Sequence, residues 1–196
     1  MIRPSAAVLC LSALAGLYAE DAPKERGMFD LLGGATWSER HGEAIVGWSS
    51  LEIDGVPDDQ NAWYLSAAAS AISGYQVKDK PFGTILGLGA GLKTWWGDDD
   101  VKIRSVVPFV YGIGGFYSHF SERTRTELVG RVGPGVGFSK VGNESSTDFA
   151  WTWAVEGALS VTKGESAGLG VGVGYEAIHV GDWSQEGPYI MIRIGF

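Results

Sequence analysis

FGTILGLGAGLKTWW, residues 82–96, sorts its side chains by parity. In an extended chain Thr84, Leu86, Leu88, Ala90 and Leu92 share one face, and Gly83, Gly87, Gly89, Gly91 and Lys93 share the other. One face is greasy, the other small or polar, and the period is that of a strand. Residues 127–140 repeat it, with Leu128, Val132, Pro134, Val136 and Phe138 against Glu127, Arg131, Gly133, Gly135 and Gly137. So do residues 149–161, where Phe149, Trp151, Trp153, Val155, Leu159 and Val161 oppose Thr152, Ala154, Glu156, Ala158 and Ser160. Leu169, Val171, Val173 and Tyr175 oppose Gly170, Gly172, Gly174 and Glu176 in the same way. Along 106–117 the bulky set is Val107, Phe109, Tyr111 and Ile113, facing away from Pro108, Gly112 and Gly114. Pro134 has no ladder donor, so a bulge is expected there.

Two architectures produce such alternation. A soluble sandwich or lipocalin-like barrel turns its greasy face inward; a membrane barrel turns it to lipid and keeps a polar interior. Residue size separates them. The face opposite the bulky residues is crowded with glycine, alanine, serine and single charges, which a narrow lumen of about eight strands requires and a water-facing surface does not. The sequence therefore predicts an all-β fold, an antiparallel transmembrane up-and-down β-barrel. Trp95, Trp96, Tyr117, Phe149, Trp151, Trp153 and Tyr189, near the ends of runs, are expected in interfacial girdles.

Counted back from the C-terminus, the strands fall at 188–196, 168–180, 149–162, 126–140, 103–118, 82–96, 61–75 and 41–52, which makes eight. Turn signals separate them, including residues 142–147 and 181–186. Residues 28–37 either continue the first strand through a bulge or pair so that the barrel has ten. The chain ends on a strand, Ile190, Ile192, Ile194 and Phe196 on one parity and Tyr189, Met191, Arg193 and Gly195 on the other. A closed barrel needs this, because its last strand pairs with its first.

Residues 1–19 carry one cation, Arg3, then an apolar run from Ala6 to Leu17 and a small residue, Ala19, at the cleavage point. This reads as a secretory signal peptide, the run being too short to span a bilayer. Residues 20–196 form the barrel domain. Cleavage removes one of 15 cations and none of 23 acids, moving the formal charge from −8 to −9. That is the wrong sign for nucleic acid. The single cysteine, Cys10, leaves with the signal, so no disulfide is available.

The interior parity carries Lys93, Arg104, Arg131 and Arg193 against Glu43, Glu127, Glu156 and Glu176. An isolated charge in a narrow lumen is costly, so pairing is expected, and a salt-bridged plug is favoured over a conducting path. No cofactor or metal site is expected. Asp58-Asp59 and Asp98-Asp99-Asp100 match no calcium loop and read as solvated charge, and the glycines of GLGAG and GVGVG lie within strands with no helix to receive a phosphate. His41 and His119 read as surface histidines.

Three stretches carry a resemblance: YIMIRIGF ending at Phe196, VPFVYGIGGFYS over 107–118 and VGYEAIHVGD over 173–182. With them the chain resembles the small outer-membrane barrels of Gram-negative bacteria, of the opacity-protein and OmpX-like kind. The resemblance implies an outer-membrane location, contact with outer-membrane lipid and lipopolysaccharide, and an extracellular partner for the loops. It also implies that Tyr189, Ile192, Ile194 and Phe196 form the signal read by the barrel-assembly machinery. Such barrels imply a structural or surface-interaction role and no enzyme activity. Two alternatives stand beside it: a narrow porin-like channel, and a lipid A-modifying acyl hydrolase. Small outer-membrane lipid A deacylases resemble this architecture and place a histidine near His179; they follow it two residues later with a serine nucleophile, where this chain has Gly181. Ser184 and Glu186 lie close by in the sequence.

Overall fold

A computed structural model describes residues 35–54, 60–78, 80–98, 102–121, 123–163 and 166–195. Eight strands run in chain order around a closed antiparallel barrel. They are β1 (Trp37–Ile53), β2 (Gln60–Gln76), β3 (Phe82–Asp98), β4 (Lys102–Ser121), β5 (Thr124–Val141), β6 (Glu144–Lys163), β7 (Ser166–Val180) and β8 (Trp183–Gly195). Each strand pairs with its neighbours in sequence, and β8 closes on β1 from His41↔Gly195 to Ile53↔Trp183. The fold class and the count of eight agree with the alternation. Residues 1–34, with the expected signal peptide, and Phe196 lie outside the described residues.

The parity decides which way each side chain points. Val46, Leu65, Leu88, Val110, Leu128, Val155, Val173 and Ile190, one from each strand, are all between 42% and 65% exposed. A continuous belt of that kind is an unfavourable surface in water and a favourable one in hydrocarbon. The interior is packed instead with Tyr64, Trp95, Tyr111, Trp183 and Tyr189, interleaved with buried charges.

Strand β4 runs opposite to expectation. Val107, Phe109, Tyr111 and Ile113, its bulky parity, are buried in the lumen, and Pro108, Val110, Gly112 and Gly114 face outward. Alternation gives a strand two faces and does not say which is inside; here the lumen needs large rings because the neighbours supply glycine. Gly89 of β3 sits in register with Tyr111, and a Cβ on it would collide with the Tyr111 ring. The same fit joins Gly47 to Tyr64 and Gly174 to Tyr189, and Gly74 to Trp37. Each ring lies across a neighbouring strand at a glycine, where that strand has no side chain. Trp95, Tyr117 and Tyr189, expected in a girdle, are consequently buried inside, whereas Trp96, Phe149, Trp151 and Trp153 are exposed on the wall.

Two hairpins are tighter than the turn signals implied. Gly142–Asn143 joins β5 to β6 and Gly181–Asp182 joins β7 to β8, with φ of 58° at Gly142 and 52° at Gly181, a left-handed backbone that glycine adopts without strain. The β5–β6 hairpin also stands tall. Residues Glu144 to Phe149 continue beyond the last β6–β7 rung at Ala150↔Val180, about 20 Å of strand at 3.3 Å per residue. Pro134 produces no bulge: the β4–β5 register is unshifted there, and the ladder skips rungs between Phe109↔Gly135 and Gly112↔Val132. Pro188 does the same between β1 and β8, where rungs are missing between Gly47↔Tyr189 and Ser50↔Glu186.

Candidate functional site

The densest chemistry is in the lumen. Arg193 of β8 reaches three glutamates on three strands: Glu43 of β1 at 3.2 Å, Glu127 of β5 at 2.5 Å and Glu156 of β6 at 2.8 Å. Arg131 of β5 holds Glu43 at 2.5 Å and Glu156 at 2.6 Å. Tyr189 donates its hydroxyl to Glu156 at 2.8 Å, and Ser70 donates to Glu43 at 3.1 Å. Toward the rim that carries the Gly142 and Gly181 turns, Lys93 pairs with Glu176. Seven of the eight charges expected inside are thus buried and ion-paired.

Arg104 is not among them. It stands on the outward parity of β4, exposed, in register with Lys140 of β5. It inherits the inversion of that strand. In its place the interior holds a pair that the sequence reading missed, Arg125 and Glu39. Arg125 grips Glu39 with two bonds of 2.7 and 3.1 Å, donates to Glu127 at 2.8 Å, and lies 3.8 Å over the Trp37 ring. Arg125, Glu127 and Arg131 share one parity, which was the available signal. His41, expected at the surface, is wholly buried and bonded through Nε2 to Glu39 at 3.1 Å.

The charges are bracketed by apolar and aromatic layers. Toward the rim of the Gly142 and Gly181 turns Trp95 donates to Gln185 at 2.7 Å, Trp183 donates to Ser139 at 3.0 Å, and the two indoles meet edge to face at 5.6 Å. At the opposite end Trp37 and Tyr117 meet edge to face at 5.2 Å.

A second cluster lies on the outer wall. His179 of β7 is in register with Ser184 of β8, and Ser184 with Glu52 of β1. One row down, Ala177, Glu186 and Ser50 line up the same way. These residues, with Trp153, line a notch of about 280 Å³. Glu186 is within hydrogen-bonding reach of Tyr175. Among the described residues no group of three or more acidic, histidine or cysteine side chains is arranged to hold a metal. Of the expected assembly signal, Ile192 and Ile194 face outward and Tyr189 inward, with Phe196 outside the described residues.

No protein-family model and no curated protein sequence matches the chain. Solved structures do. The crystal structure of Neisserial surface protein A superposes with a TM-score of 0.50 at 13% identity, covering 80% of this chain and 97% of that one. Ail, the attachment invasion locus protein of Yersinia pestis, follows with a TM-score of 0.44 at 12% identity, covering 82% and 99%. With its closed ring of eight antiparallel strands, apolar outer belt and packed lumen, the chain has the fold of the small eight-stranded outer-membrane barrels.

Proposed function

We propose that the protein resides in the bacterial outer membrane as an integral barrel with a structural and surface-interaction role, its lumen held shut by a charge network. Arg193 carries this reading: one guanidinium bonded to glutamates of three strands ties the wall to itself across the interior. Charges removed from water and paired at this density resist hydration and movement, the opposite of what a conducting path needs. The belt of the outer wall is suited to lipid and lipopolysaccharide, and the strand-borne C-terminus to the barrel-assembly machinery. The connections are short, so surface contact falls to the β5–β6 hairpin, where Glu144 to Thr147 are exposed on both parities. Planar-bilayer recording tests the closed lumen: the wild-type protein is expected to give no single-channel steps, and reproducible unitary conductance would replace this reading with the narrow channel.

A second reading has its own observation. The rung His179↔Ser184 puts an imidazole beside a hydroxyl on the outer wall, the pairing that acyl hydrolysis uses as base and nucleophile. It ranks second because Glu186, the acid nearest to complete a triad, lies against Tyr175. Mass spectrometry of lipid A from cells carrying wild type, His179→Ala or Ser184→Ala decides it. Identical acylation in all three removes the hydrolase; loss of an acyl chain only with wild type establishes it.

A further inference from the structure

The outer wall of β3, β4 and β5 is graded away from the rim of the Gly142 and Gly181 turns. Near that rim Trp96, Arg104 and Lys140 stand in register, and two residues down the same strands Thr94, Val106 and Phe138 do so. Arg104 and Lys140 are exposed, and among the described residues neither forms an ion pair. Like charges directly opposite across a rung are destabilising, so nothing in the barrel's own packing accounts for this pair. Two residues further down again, an apolar groove of about 530 Å³ lies between Ala90, Pro108, Val136 and Phe149. Phe138, 51% exposed, stands between the cations and the groove, and Trp96, 48% exposed, stands beside the cations.

We infer that this face binds one phosphorylated, acylated glycolipid of the lipid A class. Arg104 and Lys140 share a phosphate monoester, the sugar that bears it lies over Phe138, and an acyl chain occupies the groove. A phosphate dianion cancels both charges and turns the repulsion across the rung into two charge-assisted contacts, with the guanidinium fork and the ammonium each donating to phosphate oxygens. Spacing selects the glycolipid over a phospholipid. From Arg104 to Pro108, and from Lys140 to Val136, is four residues, about 13 Å of strand at 3.3 Å per residue. That is further than the three carbons of glycerol carry an acyl ester from its phosphate, and a sugar fills the interval. The side agrees: this rim is the external one on the reading above, where an outer membrane presents phosphorylated glycolipid.

The inference rests on the membrane location proposed above, and native mass spectrometry separates the two. Protein is inserted in phosphatidylethanolamine vesicles carrying equal parts of bisphosphorylated lipid A, the same lipid A stripped of phosphate, and cardiolipin; it is then released and its retained lipids are counted. The wild type is expected to keep about fivefold more bisphosphorylated lipid A than either other probe, the scale of charge-assisted contacts at an exposed site. Arg104→Gln/Lys140→Gln is expected to bring that ratio to about one. Ala90→Trp, which fills the groove, is expected to lower retention of both forms of lipid A. In detergent without lipid A, Lys140→Gln is expected to unfold no earlier than wild type, because it removes the repulsion across the rung. Each variant is checked for a heat-modifiable gel shift, so that loss of fold is not read as loss of site. Equal retention of the stripped lipid A by the wild type, or an unchanged ratio in the double variant, overturns the site. Earlier unfolding of Lys140→Gln overturns it too, since the pair is then neutralised within the barrel. Cardiolipin kept as strongly as bisphosphorylated lipid A replaces the glycolipid with any anionic lipid. Failure to insert in any vesicle removes the membrane location and the site with it.

Discussion

Arg193 has no spare donor group: its Nε and both terminal nitrogens are committed to Glu43, Glu127 and Glu156. Replacing it with methionine keeps much of the volume and leaves Glu43 and Glu156 to Arg131 and Glu127 to Arg125, three carboxylates with two arginines in a dry interior. Arg193→Met is therefore expected to lose about 3 kcal/mol or more of unfolding free energy, the cost of breaking a buried pair from one side. Urea titration in micelles reads it. Arg104→Ala is the matched control, expected to stay within about 0.5 kcal/mol because the side chain is outside and exposed. The contrast also marks what could be read from residues alone. Parity placed Lys93, Arg131, Arg193 and their glutamates inside because glycine and small residues shared their face. It misplaced Arg104, whose strand carries large side chains on the inner face. His41 was missed for another reason: a lone imidazole gives no sign of the Glu39 and Arg125 brought to it from sequence positions 39 and 125.

At the scale of the strand, the recurring unit is a ring laid over a glycine on the neighbouring chain. Gly89→Val pushes a branched side chain into the Tyr111 ring and is expected to cost about 1–3 kcal/mol, the usual range for overpacking. Gly114→Ala, where an added Cβ meets nothing within 4 Å, is expected to be neutral or mildly stabilising in the same urea titration. Pro134→Val returns a donor to the skipped β4–β5 rungs and is expected to gain roughly 1 kcal/mol. Alternation made the strands legible, but their ends were not. Glu144 to Thr147 and Trp183 to Glu186 read as turns by their polarity, and they are strand because cross-strand backbone bonds continue however polar the side chains become. The glycines were legible as a need for space; their partner rings were not, since register across a hairpin depends on turn length.

For the molecule as a whole, closure is the property to test. Unboiled protein in detergent is expected to migrate apart from boiled protein on a gel and to give a strand-rich circular dichroism spectrum. A single migration position with solubility lacking detergent would contradict a lipid-facing wall. Closure was legible in the even count of alternating runs, and the strand at residues 188–195 belongs to β8, which pairs with β7 on one side and β1 on the other. The masking of direction by symmetry was the limit: every strand declared two faces, and only the mutual fit of rings, glycines and charges settled which face was enclosed.

Pro188 has a kinetic meaning as well. Seven of the ladders join strands adjacent in sequence, so each can form as a local hairpin at small entropic expense. The eighth, joining His41 to Gly195, must bring together residues separated by nearly the whole described chain, and it is the ladder with skipped rungs at Pro188. The slow step in forming this barrel is then the zipping of its least complete joint, and until that step is done the molecule is an open sheet with two unsatisfied edges.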